Sequence, residues 1–230
     1  MKTIGLIGGM SWESTAKYYE LINREIAFSL GASHSARCVI YSFDFQEIEE
    51  LQYAGAWDEL RRRLFEVGRG LKAAGADFIV LCTNTMHKVM DGFEAEVGLP
   101  FLHIADIIGE AVRADAITTV GLLGTKFTME EDFYRGKLER EYGLSVLVPD
   151  AADRAEVNRV IYEELVRGII SEESRAAYVH IMDGLERRGC RGIILGCTEI
   201  GLLVKAHSTR LYDSTVLHVR RAARLAMERG

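Results

Sequence analysis

The sequence predicts an α/β fold of two similar lobes, each built on a parallel sheet, related by a pseudo-twofold axis with the active site in the cleft between them. Two observations lead there. Short apolar runs alternate with longer amphipathic stretches, the pattern of βαβ units around a buried parallel sheet. In addition, two motifs recur at nearly one spacing. Ile4-Gly5-Leu6-Ile7-Gly8 returns as Val120-Gly121-Leu122-Leu123-Gly124, 116 positions on from Gly5 to Gly121, and the stretch Gly75 to Thr83 returns as Gly189 to Thr198, 115 positions on from Cys82 to Cys197. Chance recurrence of one Gly-flanked strand is common in such proteins, but agreement in order, spacing and the closing Cys-Thr points to a duplicated half.

Predicted strands run Thr3–Ile7, Cys38–Ser42, Phe78–Leu81, Phe101–Ile104, Thr119–Leu123, Ser145–Val148, Gly192–Leu195 and Arg210–Tyr212. Most are short and apolar on both sides, as buried parallel strands are. Ser14–Leu30, Ala56–Ala74, Asp153–Gly168 and Glu172–Arg188 carry apolar residues at helical spacing, and Gly31, Gly75, Gly168 and Gly189 close them. The lobes are expected at 1–98 plus 210–230 and at 99–209.

With 48% hydrophobic residues in 230, the chain can bury a real core, and only two prolines leave little room for linkers or low-complexity disorder. The net charge of −6 gives no basic footprint for nucleic acid, and Arg61-Arg62-Arg63 reads as a solvated helix face. No apolar run approaches the roughly 18 residues a membrane helix needs, so no membrane partner is expected. The N-terminus reaches Trp12-Glu13 before a secretion signal could be completed. Four cysteines without a CxxC pair read as free thiols in a reducing cytoplasm.

Cys82 and Cys197 each follow a predicted strand, where open α/β sheets place their ligand crevice. Backbone N–H groups of Thr83-Asn84-Thr85 and Thr198-Glu199, at the starts of helices or turns, would hold a carboxylate and draw the thiol pKa down from about 8.5. Acid/base groups on opposite faces of one carbon invert its configuration. A cysteine hydrolase would need a histidine base, and His87 and His103 have no counterparts in the second half. Metal is not expected, since Cys82 and His87 are awkwardly spaced for a helix. The plain alternative makes both cysteines small buried hydrophobes; their duplication with polar flanks weighs against it. Glu199 is open between substrate contact and a helix-start carboxylate. Plain burial or partial exposure for Cys38 and Cys190, packing at an interface or loop for Trp12 and Trp57, and a solvated helix face for His87 and Lys88 are expected.

Taken together, Gly5 to Thr15, Cys82 to His87, Leu122 to Thr125 and Gly196 to Ile200 resemble the aspartate/glutamate racemase superfamily over essentially the whole chain. The resemblance implies a two-lobed enzyme, usually a homodimer, acting without pyridoxal phosphate, other cofactor or metal. It assigns Cys82 and Cys197 as the acid/base pair, with Thr83, Asn84, Thr85, Thr198 and Glu199 holding the α-carboxylate and α-ammonium groups of an amino acid and Thr125 joining them. Met10-Ser11 and Glu199 differ from the dedicated glutamate racemases. The Glu47–Gln52 segment lacks the arginine, and Val166 the lysine, that aspartate racemases use, with Arg167 as a possible substitute. Trp12 to Thr15, Met86 to Val89 and Asp132 to Arg135 look most like the broad-specificity amino-acid racemase branch, in which Met10 and Gln52 line the side-chain pocket. A maleate-type isomerase and a non-catalytic amino-acid-binding protein are the competing readings.

Overall fold

A computed structural model describes residues 1–228; positions 229–230, the end of the predicted first lobe, lie outside the described residues. Eight strands form, β1 (Ile4–Gly8), β2 (Cys38–Ser42), β3 (Phe78–Leu81), β4 (Phe101–Leu102), β5 (Thr119–Gly124), β6 (Ser145–Leu147), β7 (Gly192–Gly196) and β8 (Arg210–Asp213). Each lies where the apolar runs place it, within a residue or two. β4 is shorter than predicted because Ile104 already opens the helix Ile104–Ala114.

The chain divides into two compact units, Met1–His103 with the segment from His218 onward, and Ile104–Leu217. Each holds one parallel sheet, in the order β2-β1-β3-β4 in the first and β6-β5-β7-β8 in the second. That shared order is the structural form of the repeat. The expected break at 209/210 gives way to one after Leu217, because β8 pairs with β7 along Gly192–Leu195 and stays in the second sheet.

The pleat of β1 and β3 explains their uninterrupted apolar sequence. Ile7, Ile79 and Leu81 pack on one side with Leu60 and Leu64, while Ile4, Leu6, Phe78, Val80 and Cys82 pack on the other with Tyr18, Ile22 and Ile26. In the second unit Leu123, Ile193 and Leu195 face Val157 and Tyr178, whereas Val120, Leu122 and Ile194 face Ile108 and Tyr134. At the helix starts, Ser11 caps Trp12–Leu30 by accepting from Ser14 N–H, and Asp150 and Ser171 cap Ala151–Glu163 and Glu172–Arg187 in the same way. The predicted helix Asp153–Gly168 ends early at Glu163, and a 3₁₀ turn Leu165–Arg167 follows.

Candidate active site

In each unit two neighbouring central strands, β1 and β3 or β5 and β7, deliver the predicted site residues other than Gln52, which lies on the helix Phe45–Tyr53 after β2, to the carboxyl edge of the sheet, the position where open α/β sheets bind ligands. The loop after β1 is drawn tight by glycines. A Cβ on Gly8 would stand 2.4 Å from the Thr15 side chain, and Gly9, at φ +85°, leaves no room beside the Phe43 backbone. Thr15 Oγ1 accepts from Gly9 N–H at 2.7 Å and donates to Ser11 O at 2.9 Å, locking this turn onto the first turn of the helix Trp12–Leu30.

Cys82 is fully buried directly after β3. Its N–H continues the ladder to Ile7 O at 2.9 Å, and its carbonyl accepts from Ser14 Oγ at 2.8 Å. Asn84 and Thr85 follow, both buried, where the chain enters the 3₁₀ helix Thr85–Val89, with Thr83 half-buried before them. Met10 and Met86 share one buried cluster, and Gln52 Nε2 reaches Met86 Sδ at 3.1 Å. Sequence reasoning placed Met10 and Gln52 here; it missed Met86, whose signal was its place inside the Cys82 to His87 motif.

His87 also departs from expectation. It is 1% exposed rather than on a solvated face, because the segment winds as a 3₁₀ helix that turns this side chain inward. Its Nδ1–H donates to Thr83 O at 2.9 Å with Asn84 O at 3.3 Å, and its ring lies 4.8 Å from His103 and 5.9 Å from His218. Burial, then the neighbouring His103 and His218, holds His87 well below the usual histidine range. Lys88 stands 3.6 Å over the Trp57 ring, a cation–π contact.

In the second unit Thr125 caps the helix Lys126–Glu130, its Oγ1 accepting from Thr128 N–H at 3.4 Å. Gly124 pairs with Gly196, so Thr125 and Cys197 leave their strands side by side. A side chain on Gly196 would come within 2.9 Å of Leu123 O, so the close approach of β5 and β7 requires glycine. Half-buried Cys197 donates its S–H to Glu199 Oε2 at 3.0 Å; Glu199 is buried and precedes the short helix Ile200–Leu203.

Two features correct the sequence expectations. Gly5 is opposite Ile79 and Gly121 opposite Ile193 in matching registers, so the counterpart of Cys82 is Gly196, and Cys197 lies one residue beyond it. A one-residue step reverses the pleat: Cys82 packs with Phe78 and Val80, Cys197 with Ile193 and Leu195. The second concerns charge. Burial raises both thiols above the ordinary cysteine value, and at Cys197 the Glu199 carboxylate raises it further, outweighing the Thr198 and Glu199 backbone N–H groups that lower it.

Among the described residues, Asp183, Glu186 and His207 are close enough to share an ion. Thr209 N–H donates to His207 Nδ1 at 3.0 Å, which leaves the proton on Nε2, 3.1 Å from Asp183 Oδ1. That arrangement is a hydrogen-bond network, not a ligand set. Arg167 is exposed on its 3₁₀ turn, and no helix among the described residues is long and apolar enough to cross a membrane.

The family profile Asp/Glu/Hydantoin racemase matches residues 7–222. The crystal structure of a candidate Asp/Glu racemase from Yersinia pestis is 52% identical, covering 99% of this chain and 100% of that one at TM-score 0.94. An aspartate racemase homologue from Pyrococcus horikoshii OT3 is 37% identical over 99% and 100% of the two chains at TM-score 0.86. The broad-specificity amino-acid racemase RacX of Bacillus subtilis is 26% identical over 163 residues, 69% of each chain.

Proposed function

The chain belongs to the Asp/Glu/Hydantoin racemase family, and from that membership we propose that it interconverts the L and D forms of an amino acid by proton transfer through Cys82 and Cys197. The observation that carries this reading is that each unit places a Cys-Thr pair at the carboxyl end of a central parallel strand, Cys82-Thr83 after β3 and Cys197-Thr198 after β7.

In the proposed reaction the thiolate of one cysteine removes the α-proton, and the Cα–H electron pair moves into the α-carboxylate to give an enolate-like dianion. The other thiol then gives its proton to the opposite face of Cα. No redox change occurs, and the two cysteines end with exchanged protonation states. Thr83, Asn84, Thr85, Thr125 and Thr198 hold the α-carboxylate, whose growing charge is the main barrier term such donors lower. Glu199 serves two groups in this reading, attracting the α-ammonium and accepting the Cys197 proton when that thiol ionises.

Met10, Met86 and Gln52 form the side-chain wall. Two flexible thioethers and a neutral amide offer no fixed charge for an acidic side chain, which favours broad specificity with neutral substrates preferred. RacX bears the same description in its name.

The test is proton NMR in D₂O under reducing conditions with a panel of L-amino acids, paired with chiral chromatography. Loss of the α-proton signal with appearance of the D form is expected, fastest with neutral side chains. Cys82→Ser and Cys197→Ser should each slow racemisation about 10²- to 10⁴-fold, the span of general acid–base catalysis. A wild-type rate in either variant would refute the two-thiol mechanism.

A further inference from the structure

We infer, on the proposed roles of Cys197 and Glu199, that Asp213 and Ser214 at the junction of β8 and the helix Ser214–Met227 are positioning residues, which hold the Glu199 carboxylate against the Cys197 thiol.

The two cysteine loops are anchored by one device at different places. In the first unit a helix-start hydroxyl, Ser14 Oγ, donates to the carbonyl of Cys82 itself at 2.8 Å. In the second unit the buried hydroxyl of Ser214 donates to Leu195 O at 2.7 Å, two residues before Cys197. That leaves Cys197 O to close a turn, accepting from Ile200 N–H at 3.2 Å. Thr198 and Glu199 are the central residues of this turn, and the Glu199 carboxylate reaches back to accept from Cys197 Sγ at 3.0 Å. Asn84, the residue equally far along the chain from Cys82, is neutral.

Asp213 fixes the far side of the turn. It is the partner of Leu195 in the β7–β8 register, so it ends its strand beside the start of the Cys197 loop. Its Oδ1 accepts from Val216 N–H at 3.0 Å, which caps the helix Ser214–Met227 and orients the carboxylate. Its Oδ2 fills the space beside Gly201, where a Cβ would stand 2.5 Å from it. Gly201 belongs to the helix Ile200–Leu203, in which Leu202 N–H bonds Glu199 O at 3.0 Å. At the other end of that helix Leu203 O accepts from Arg175 Nε at 2.8 Å. So short a helix has too little internal bonding to hold itself, and these outside contacts set its place and that of Glu199.

A carboxylate in contact with a thiol attracts its proton and repels the thiolate, and both effects weaken with distance. Besides Glu199, the cluster on which Cys197 packs holds Tyr178, whose phenol burial raises above its usual range, so it stays neutral while the thiol titrates. A displaced turn therefore shows as a change in thiol acidity.

Two substitutions move the turn without altering any charge: Ser214→Ala removes the anchor on Leu195 O, and Gly201→Ala pushes Asp213 and the helix Ile200–Leu203 apart. Cys197 alkylation by iodoacetamide is followed against pH by peptide mass spectrometry, on the full chain without substrate. Each variant should move the profile to lower pH by roughly half or more of the shift that Glu199→Gln gives, and neither should move it further in the Glu199→Gln background. With substrate, kcat should fall about 10- to 100-fold and KM change far less, as for a slightly misplaced reacting group. A wild-type alkylation profile in either variant would overturn the inference. So would a shift that persists undiminished beside Glu199→Gln, since the substitution would then be opening the loop to water and not moving Glu199. Should Ser214→Ala fail to fold, Gly201→Ala, at a partly exposed site, decides alone. Alkylation needs no catalysis, so coupled profiles in a protein that racemises nothing would refute the proposed function and leave this positioning role standing.

Discussion

His87 donates one N–H to the carbonyls of Thr83 and Asn84, while its Nε2 is buried without a hydrogen-bond partner. An orphaned buried acceptor costs about 1–3 kcal/mol, so stability alone does not explain an imidazole here. Holding the loop behind Cys82 does. His87→Leu removes the clamp and the orphan together, and the two effects roughly cancel in stability. Its kcat should fall about 10- to 100-fold, the scale of a small misplacement at a reacting centre, with little change in melting temperature. His87→Asn, whose amide N–H can take the place of Nδ1–H, should recover most of that loss. Equal kcat in all three proteins would show that the ring merely fills space. Glu199 gives a second residue-scale prediction, with its sign set by charge. Its carboxylate raises the Cys197 pKa, so Glu199→Gln should move the iodoacetamide alkylation profile of Cys197 to lower pH. Racemisation should nevertheless slow, because the proton acceptor beside the thiol is gone. A profile shifted to higher pH would mean that Glu199 carries a proton and donates it in a hydrogen bond to the thiolate.

At the scale of elements, the turn after β1 depends on Gly9 more than on any contact it makes. Gly9→Ala combines a left-handed φ of +85° with a Cβ 2.2 Å from Phe43 O, and should cost at least about 1–3 kcal/mol in chemical denaturation. A smaller loss would mean that the loop has a second conformation open to it. The strands themselves were legible in the sequence, since β1, β3, β5 and β7 are covered on both faces and had to be continuous apolar runs. The repeat was legible as well, and its second motif, nine residues from Gly75 to Thr83 but ten from Gly189 to Thr198, already contained the step that separates Cys197 from the counterpart of Cys82. That step acquires meaning only through strand register, which sequence spacing does not reveal. Thiol acidity was misread for a related reason. Helix starts and Thr residues are visible along the chain, whereas the burial that raises Cys82 belongs to a cluster that draws in Tyr18 and Val219, far away in sequence. His87 was misplaced because a 3₁₀ turn and an α-turn direct the third side chain differently, and nothing local distinguishes the two.

For the molecule as a whole, its buried titratable groups set the pH range in which it stays folded. His87 and His218 are neutral in the folded protein, His218 pushed down to about 3 by burial despite its bond to Leu102 O, with Tyr18 on its other nitrogen at 2.9 Å. Their unfolded value is about 6.5, so below that pH the unfolded chain binds protons the folded chain refuses. Their stabilising contribution is complete above about pH 6.5 and is lost as pH falls, with a slope approaching 2.7 kcal/mol per pH unit for two groups. On the alkaline side the thiols of Cys82 and Cys197 and the phenols of Tyr134 and Tyr178 are all raised by burial. Unfolding releases their protons, beginning with the thiols near pH 8.5, so stability falls as pH rises beyond that point. The proposed thiol chemistry would run against this trend: it needs a thiolate, so with both thiol pKa values raised kcat/KM should climb with pH where stability declines. Urea denaturation between pH 4.5 and 6.5 should show the acid slope, and His218→Gln should roughly halve it. Both histidines belong to the first unit, so amide exchange on lowering pH should accelerate around β1 and β3 before β5 and β7. A flat urea midpoint across that window would mean that the two rings find protons without unfolding, and the buried cluster would then have to open to water in the native state.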